Sequence, residues 1–313
     1  MTLRNANLQM HICVVLWGFT AVFGKLISLP ALPLVWWRMV LVSLILALLP
    51  RVWRAVRAMP LRLAAAYAGV GVFIALHWLT FYGSIKLSNA SVGATCMALS
   101  PVFLAFVEPM VARRRFDVRE LALGAAMIPG VILVVGGVPA GMRAGIAVGA
   151  LSALLVAIFG TWNKVLVHRA DPLAVTAIEL TSGAVLLTII TTVMPGSGSG
   201  FVIPGVRDAI YLVVLAVGCT IVPFTLALVA LRQMSAFSAQ LVVNLEPVYA
   251  ILLATLFLGE HHELGARFYT GVAIILALVL LYPAIVRRPP ASADLEEVQS
   301  VQSALDDRME SKS

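Results

Sequence analysis

Charge is what this chain has least of. Only 12% of its 313 residues are Asp, Glu, Lys or Arg, about half the share of an ordinary soluble domain. So sparse a charged set cannot clothe a water-facing surface of this size, which excludes a soluble globular protein. Cysteine is scarce too. Cys13, Cys96 and Cys219 each fall inside an apolar run with no CxxC or Cys/His spacing, so they are expected as small buried side chains, and no metal site is expected. There is no GxxxxGK[ST] loop, so ATP does not drive the chain from within. Residues 259–263 (GEHHE) place two histidines side by side without the HExxH spacing, which leaves a metalloprotease centre unsupported. The GSGSG run at 196–200 has no base in recognisable relation to it. No catalytic residue, metal or cofactor is expected.

What the chain has in excess is apolar sequence, 61% of it, arranged in back-to-back runs with short polar breaks. A span needs roughly 20 mostly apolar residues to cross about 30 Å of hydrocarbon. The runs predict ten spans, at 8–27, 32–49, 63–84, 89–111, 119–137, 143–163, 173–194, 208–231, 236–258 and 266–285. Arg4 before the first run resembles a secretory leader, but no clean small-x-small site follows, so that run is expected to stay as helix one. The 50–60 segment is expected as a basic loop, 196–205 as a flexible connector, and the polar, acidic 287–313 tail as disordered or a short surface helix.

Lys and Arg fix an expected orientation, because cytoplasmic loops carry the excess. Arg4, Arg51, Arg54, Arg57, Arg62, Arg113, Arg114, Arg115, Arg119, Lys164, Arg169, Arg232, Arg287 and Arg288 fall on one side, against Lys25, Lys86, Arg143, Arg207 and Arg267 on the other. Both termini are therefore expected in the cytoplasm of a multi-pass protein of the inner (plasma) membrane. The net charge of +7 is this basic belt facing anionic lipid, with no nucleic-acid partner required.

The second half of the sequence repeats the first. Phe23, Gly24, Lys25, Pro33 and Leu34 align with Trp162, Asn163, Lys164, Pro172 and Leu173 at an offset of 139, and Lys86, Ala90, Leu99, Pro101 and Val102 align with Arg232, Ala236, Leu245, Pro247 and Val248 at 146. Five helices repeated must enter the membrane the other way round the second time. The expected fold class is an all-α membrane protein, ten transmembrane helices in a 5+5 inverted repeat, divided as 1–140, 141–286 and a 287–313 tail.

Inverted repeats place a substrate site near the bilayer midplane, often where helices are interrupted. Pro101 and Pro247 sit at that depth, beside Glu246, a carboxyl that is costly there unless it serves a cavity, a partner or a proton. Gln240 and Asn244 share a face, with Glu246 about 200° round from Asn244 on a regular helix, so either Pro247 distorts the helix or one group is interhelical glue. On helix three His77 shares a stripe with Phe81, beside Trp78 and Tyr82. Glu246 and His77 are the proton-coupling candidates, against the alternative that each makes a structural interhelical hydrogen bond. Trp17, Thr20, His77, Trp78, Phe81, Tyr82, Asn163, Gln240, Asn244 and Glu246 are the expected substrate contacts, with Phe23, Trp162 and Phe224 as further aromatic lining. Arg38 is expected to snorkel outward rather than hold a carboxylate. Lys25, Lys86, Lys164 and Arg232 are expected as helix-end anchors. Gly141, Gly145 and Gly149 predict close helix packing and, more boldly, a homodimer.

The segments WGFTAVFGK at 17–25, Arg38, YGSIKLSNASVGA with Pro101, and ALRQMSAFSAQLVVNLEPVYA followed by LFLGE at Glu260 together resemble the drug/metabolite transporter superfamily, in particular its EamA-type permeases, over residues 8–283. The resemblance implies export or exchange of small metabolites such as amino acids, and a central cavity framed by helices one, three, four, six, eight and nine. LGE has no twin in the first half, where Arg113 to Arg115 stand, so Glu260 is expected as a loop anchor. The sequence therefore predicts a secondary transporter or facilitator working by alternating access. A sensor or scaffold subunit and, further behind, an intramembrane lipid-modifying enzyme are the alternatives.

Overall fold

The structure, a computed structural model, describes residues 3–112, 115–166, 169–193, 201–231 and 242–285. Gln240, Arg232, the 196–200 run and the 287–313 tail lie outside the described residues. The helices are α1 (Leu3–Leu26), α2 (Ala31–Ala47), α3 (Pro50–Ala58), α4 (Leu61–Leu87), α5 (Ala90–Met97), α6 (Ser100–Ala112), α7 (Val118–Ala126), α8 (Ile128–Gly137), α9 (Arg143–Leu166), α10 (Pro172–Val193), α11 (Val206–Ala216), α12 (Val222–Leu231), α13 (Glu246–Leu258) and α14 (Ala266–Ile285), with no strand among the described residues. Seven stretches are long and apolar enough to cross a membrane, and the α2–α3 pair makes an eighth if counted as one bent span. α13 and α14 are shorter apolar helices.

The sequence explains where the helices stop. Pro30, Pro50 and Pro60 stand at the entrances of α2, α3 and α4, where a fixed φ and a missing N–H cost nothing. Asn89 Oδ1 accepts from Val92 N at 3.0 Å to start α5, and Asp171 Oδ1 accepts from Leu173 N at 3.0 Å to start α10, satisfying end N–H groups that would otherwise be bare. Gly259 ends α13 with φ +68°, a left-handed conformation that favours glycine.

The 50–60 segment is not a loop. It holds α3, turned 91° from α2. Val52 is buried and Val56 packs against the core, while Arg51, Arg54 and Arg57 recur every three residues on the other side. Such an amphipathic pattern is helical but too short and charged to span.

Packing follows a rule. Let α1 correspond to α9, α2 to α10, α4 to α11–α12, α5–α6 to α13 and α7–α8 to α14. The contact of α4 with α9 then has its counterpart in α12 with α1, that of α6 with α9 in α13 with α1, and that of α4 with α10 in α11 with α2; α2–α10 and α8–α14 map onto themselves. Both halves also break a helix at the same place. Ala98–Leu99 and Asn244–Leu245 are turns in which Leu99 N bonds Cys96 O and Leu245 N bonds Val242 O, each at 3.0 Å, two residues before Pro101 and Pro247.

Close approaches rely on missing side chains. A Cβ on Gly145 would lie 2.6 Å from Ser88 Oγ, and one on Gly149 2.6 Å from Cys96 Sγ. These two glycines are thus used inside the chain, between α9 and α4–α5, and a dimer would need another surface. Gly71 is tighter, with a Cβ falling 2.1 Å from the Glu179 carbonyl oxygen of α10. Gly71→Ala is expected to force α4 from α10 and destabilise by about 1–3 kcal/mol, whereas Gly69→Ala, with nothing within 4 Å of its Cβ, should leave thermal unfolding in detergent unchanged.

Candidate functional site

The repeated helix breaks meet a crevice. Trp17, Thr20 and Ala21 reach it from α1, Phe81 from α4, Ala94 and Met97 from α5, and Glu246, Pro247 and Ala250 from α13. Glu246 stands in the first turn of α13 and Pro247 in its second position, so the carboxyl emerges where the helix restarts rather than in a continuous face. The crevice is narrow and leaves no room for a water between its side chains. α1 reaches this close because Gly18 faces Ala250 N, 3.1 Å from where a Cβ would be.

Trp17 packs edge-on against Phe224 at 6.0 Å, and Thr20 Oγ1 donates to Trp17 O at 2.6 Å. Behind the crevice, Phe81 stacks with His77 at 6.2 Å and meets Tyr82 at 5.4 Å. Ser152 Oγ donates to His77 O at 2.9 Å. The hydrogen on His77 Nδ1 must therefore point at Ser152, whose carbonyl oxygen lies at 3.0 Å and Oγ at 2.8 Å. This assignment from the bonding network leaves Nε2 as the nitrogen that can take a proton.

Arg38 does not snorkel. It is 3% exposed, with Nε and Nη2 donating to Thr220 Oγ1 at 3.0 and 2.8 Å and Nη1 to Tyr82 Oη at 2.8 Å. Its guanidinium lies 3.8 Å from the centre of the Trp78 ring, a favourable stack for a desolvated cation. Acceptors inside the bundle hold it there. Thr220 reaches it because residues Val217–Ile221 form a π turn between α11 and α12, where Thr220 Oγ1 bonds Leu215 O at 3.0 Å. Such single-turn bulges in helices frequently mark functional sites. Arg38 and Glu246 interact electrostatically without an ion pair, since the one bridge within 4 Å among the described residues joins Arg51 and Asp171.

Of the expected contacts, the structure brings Trp17, Thr20, Phe81 and Glu246 to one crevice. His77 lies one ring behind it, and Trp78 and Tyr82 are engaged by Arg38. Asn244, buried, forms the turn before Glu246. Asn163 points elsewhere, to a side-chain hydrogen bond with Glu179. Trp162 is exposed and Phe23 packs on Tyr211 at 5.7 Å, so neither lines the crevice. Sequence reasoning missed Thr220 and the small lining residues Ala21, Ala94 and Ala250; the repeated proline at 101 and 247 was the signal for the last two.

The ends are tied by polar groups. Glu260 Oε1 and Oε2 accept from Ala90 N at 2.8 Å and Ser91 N at 2.7 Å, and Glu263 Oε2 accepts from Asn89 Nδ2 at 3.0 Å, which makes Glu260 an anchor. Asp208 accepts from Ser28 N at 3.0 Å and Ser28 Oγ at 2.5 Å. Lys25 donates to Ser88 O at 3.3 Å and Lys86 to Ile27 O. The Lys164 side chain lies outside the described residues.

A model described as the EamA-like transporter family matches residues 5–136 and again 143–283. Among solved structures, a crystal structure of a protein aligns over 91% of this chain and 99% of its own, at a TM-score of 0.60 and 16% identity, a likeness that concerns the fold alone. A search of the curated proteins finds no match. Thr220→Val is expected to strand two guanidinium donors and cost about 1.5–3 kcal/mol, read as a lower unfolding temperature in detergent, while Thr220→Ser should stay near wild type.

Proposed function

The chain belongs to the EamA-like transporter family, and on that premise we propose that it is a secondary transporter exporting a small amino-acid-like or amphipathic metabolite across the plasma membrane by alternating access. The observation that carries this reading is the crevice at the repeated helix breaks, where Glu246 meets Trp17, Thr20 and Phe81. An interrupted helix frees backbone groups for a ligand only where they line a cavity. The aromatic walls suit the apolar part of an amphipathic solute, and Glu246 suits its polar part or a proton.

The topology proposed is ten spans in a 5+5 inverted repeat with both termini in the cytoplasm. It is supported by the exchange of helix contacts between halves, by the double family match and by the basic residues of the 50–62 segment. The α7–α8 and α5–α6 pairs then count as one broken span each, as do α11 and α12. Rocking of one repeat against the other would open the crevice to each side in turn.

In this reading His77 and Glu246 exchange the coupling proton, His77 through its Nε2, and Trp78, Tyr82 and Asn244 support the wall behind the contacts; Gln240 completes the contact set, and Asn163, which faces Glu179, falls outside it. The test is uptake and counterflow of labelled amino acids and other metabolites in proteoliposomes, with and without a pH gradient. Saturable counterflow is expected for at least one solute, and Glu246→Gln combined with His77→Gln should abolish its response to the gradient. An unchanged response in the double variant would remove both residues from proton coupling.

A further inference from the structure

Away from the crevice, one buried carboxyl has an oxygen that no hydrogen reaches. Glu179 lies on α10 seven residues after Pro172, about 10 Å along the helix at 1.5 Å per residue, and is 4% exposed. The Asn163 side chain of α9 hydrogen-bonds its carboxyl. Yet Glu179 Oε1 and Asn163 Oδ1 are both buried with no hydrogen-bond partner. Both atoms are acceptors. A carboxylate there, in hydrocarbon and without a cation within 4 Å among the described residues, is an arrangement that membranes penalise heavily.

Most of the donors around it are committed elsewhere. On α4, Tyr67 interacts electrostatically with Glu179, but its hydroxyl donates to Leu166 O at 2.5 Å, and His77 is bonded to Ser152. Arg169, before α10, interacts electrostatically with Tyr67. On α2, Arg38 donates to Thr220 and Tyr82. On α3, Arg51 pairs with Asp171, Arg57 lies over Trp53, and Arg54 is exposed. Ser182 Oγ, one turn along α10, donates to the backbone oxygens of Ala68 and Glu179.

A carboxylic acid and a primary amide complement each other, each giving one hydrogen and taking one. A proton on Glu179 Oε1 supplies the donor that Asn163 Oδ1 lacks, while the amide donates to the other carboxyl oxygen, so one hydrogen resolves both bare atoms. We propose that Glu179 and Asn163 form a proton-binding site, separate from the crevice and occupied in this conformation. Its place in a transport cycle rests on the transporter reading above. Movement of α9 relative to α10 parts the amide from the acid, water reaches the carboxyl, and the proton leaves; closure takes one up.

The first test is infrared spectroscopy of the full-length protein in lipid, in heavy water, across a pH titration. Wild type is expected to show at neutral pH a protonated-carboxyl carbonyl band that Glu179→Gln lacks and Asn163→Ala shifts. Gln keeps the donor toward Asn163, so this variant retains the packing. Glu246→Gln should leave that band in place. An identical band in wild type and Glu179→Gln overturns the proposal, as does a band that appears only when sodium is removed, which would assign the site to a metal cation. The second test uses any labelled amino acid that shows counterflow. Glu179→Gln should retain exchange and lose acceleration by a pH gradient; retained acceleration overturns the coupling role. Absence of counterflow in wild type for every solute would sink the transporter reading alone, and the infrared result would still decide the proton site.

Discussion

Hydrocarbon offers no hydrogen bonds, so every polar group that this chain carries into a membrane must find its partner inside the protein. The consequences are visible at several helix ends. Glu260 takes two backbone N–H groups of α5, Asp208 takes one from Ser28, and the Lys25 and Lys86 ammonium groups cover the carbonyls of Ser88 and Ile27. The same demand shapes the breaks at Leu99 and Leu245, where a tight turn keeps each N–H bonded three residues back. The crevice lies between those two turns, where the chain has given up regular helix at the least cost in unmet backbone bonds.

That demand also explains what could be read from the sequence. Seven or eight spans were legible as apolar runs long enough to cross, and the repeat was legible because Pro101 and Pro247 mark equivalent breaks. Depth was legible for Glu246, Phe81 and Trp17, which do meet. Direction around the helix axis was not. Asn163 ends its predicted span and faces Glu179, and Trp162 beside it faces outward. Arg38 was visible as a charge in a span, yet its partner Thr220 arrives by a π turn, an extra residue in the helical winding that apolar periodicity cannot register. The α3 helix escaped for the opposite reason, because three arginines spaced for one helical face look like a loop when only charge density is weighed.

The two walls of the crevice differ in how firmly they are held. Behind Phe81, the Arg38 guanidinium bonds α2 to α4 and to the π turn and rests on Trp78. Removing such a charge from water costs several kcal/mol unless its hydrogen bonds are filled, so these three elements are constrained to stay together. At the other wall α1 and α13 approach through Gly18, Ala21 and Ala250 and are joined by the hydrogen bond between His11 Nδ1 and Tyr249 Oη at 2.9 Å. Displacement along this wall breaks that one neutral hydrogen bond, against the several charged ones that Arg38 holds.

The fastenings at the two ends of the bundle are of different kinds. At the end bearing residues 259–265, Glu260, buried to 1% exposure, is gripped by peptide hydrogens of the opposite half. At the end bearing α3, Arg51 and Asp171 join the halves by an ion pair whose arginine is 67% exposed. Dissolved ions screen the second and scarcely touch the first. Ionic strength is therefore a lopsided lever on this molecule, weakening the fastening at the α3 end while the one at Glu260 keeps its grip.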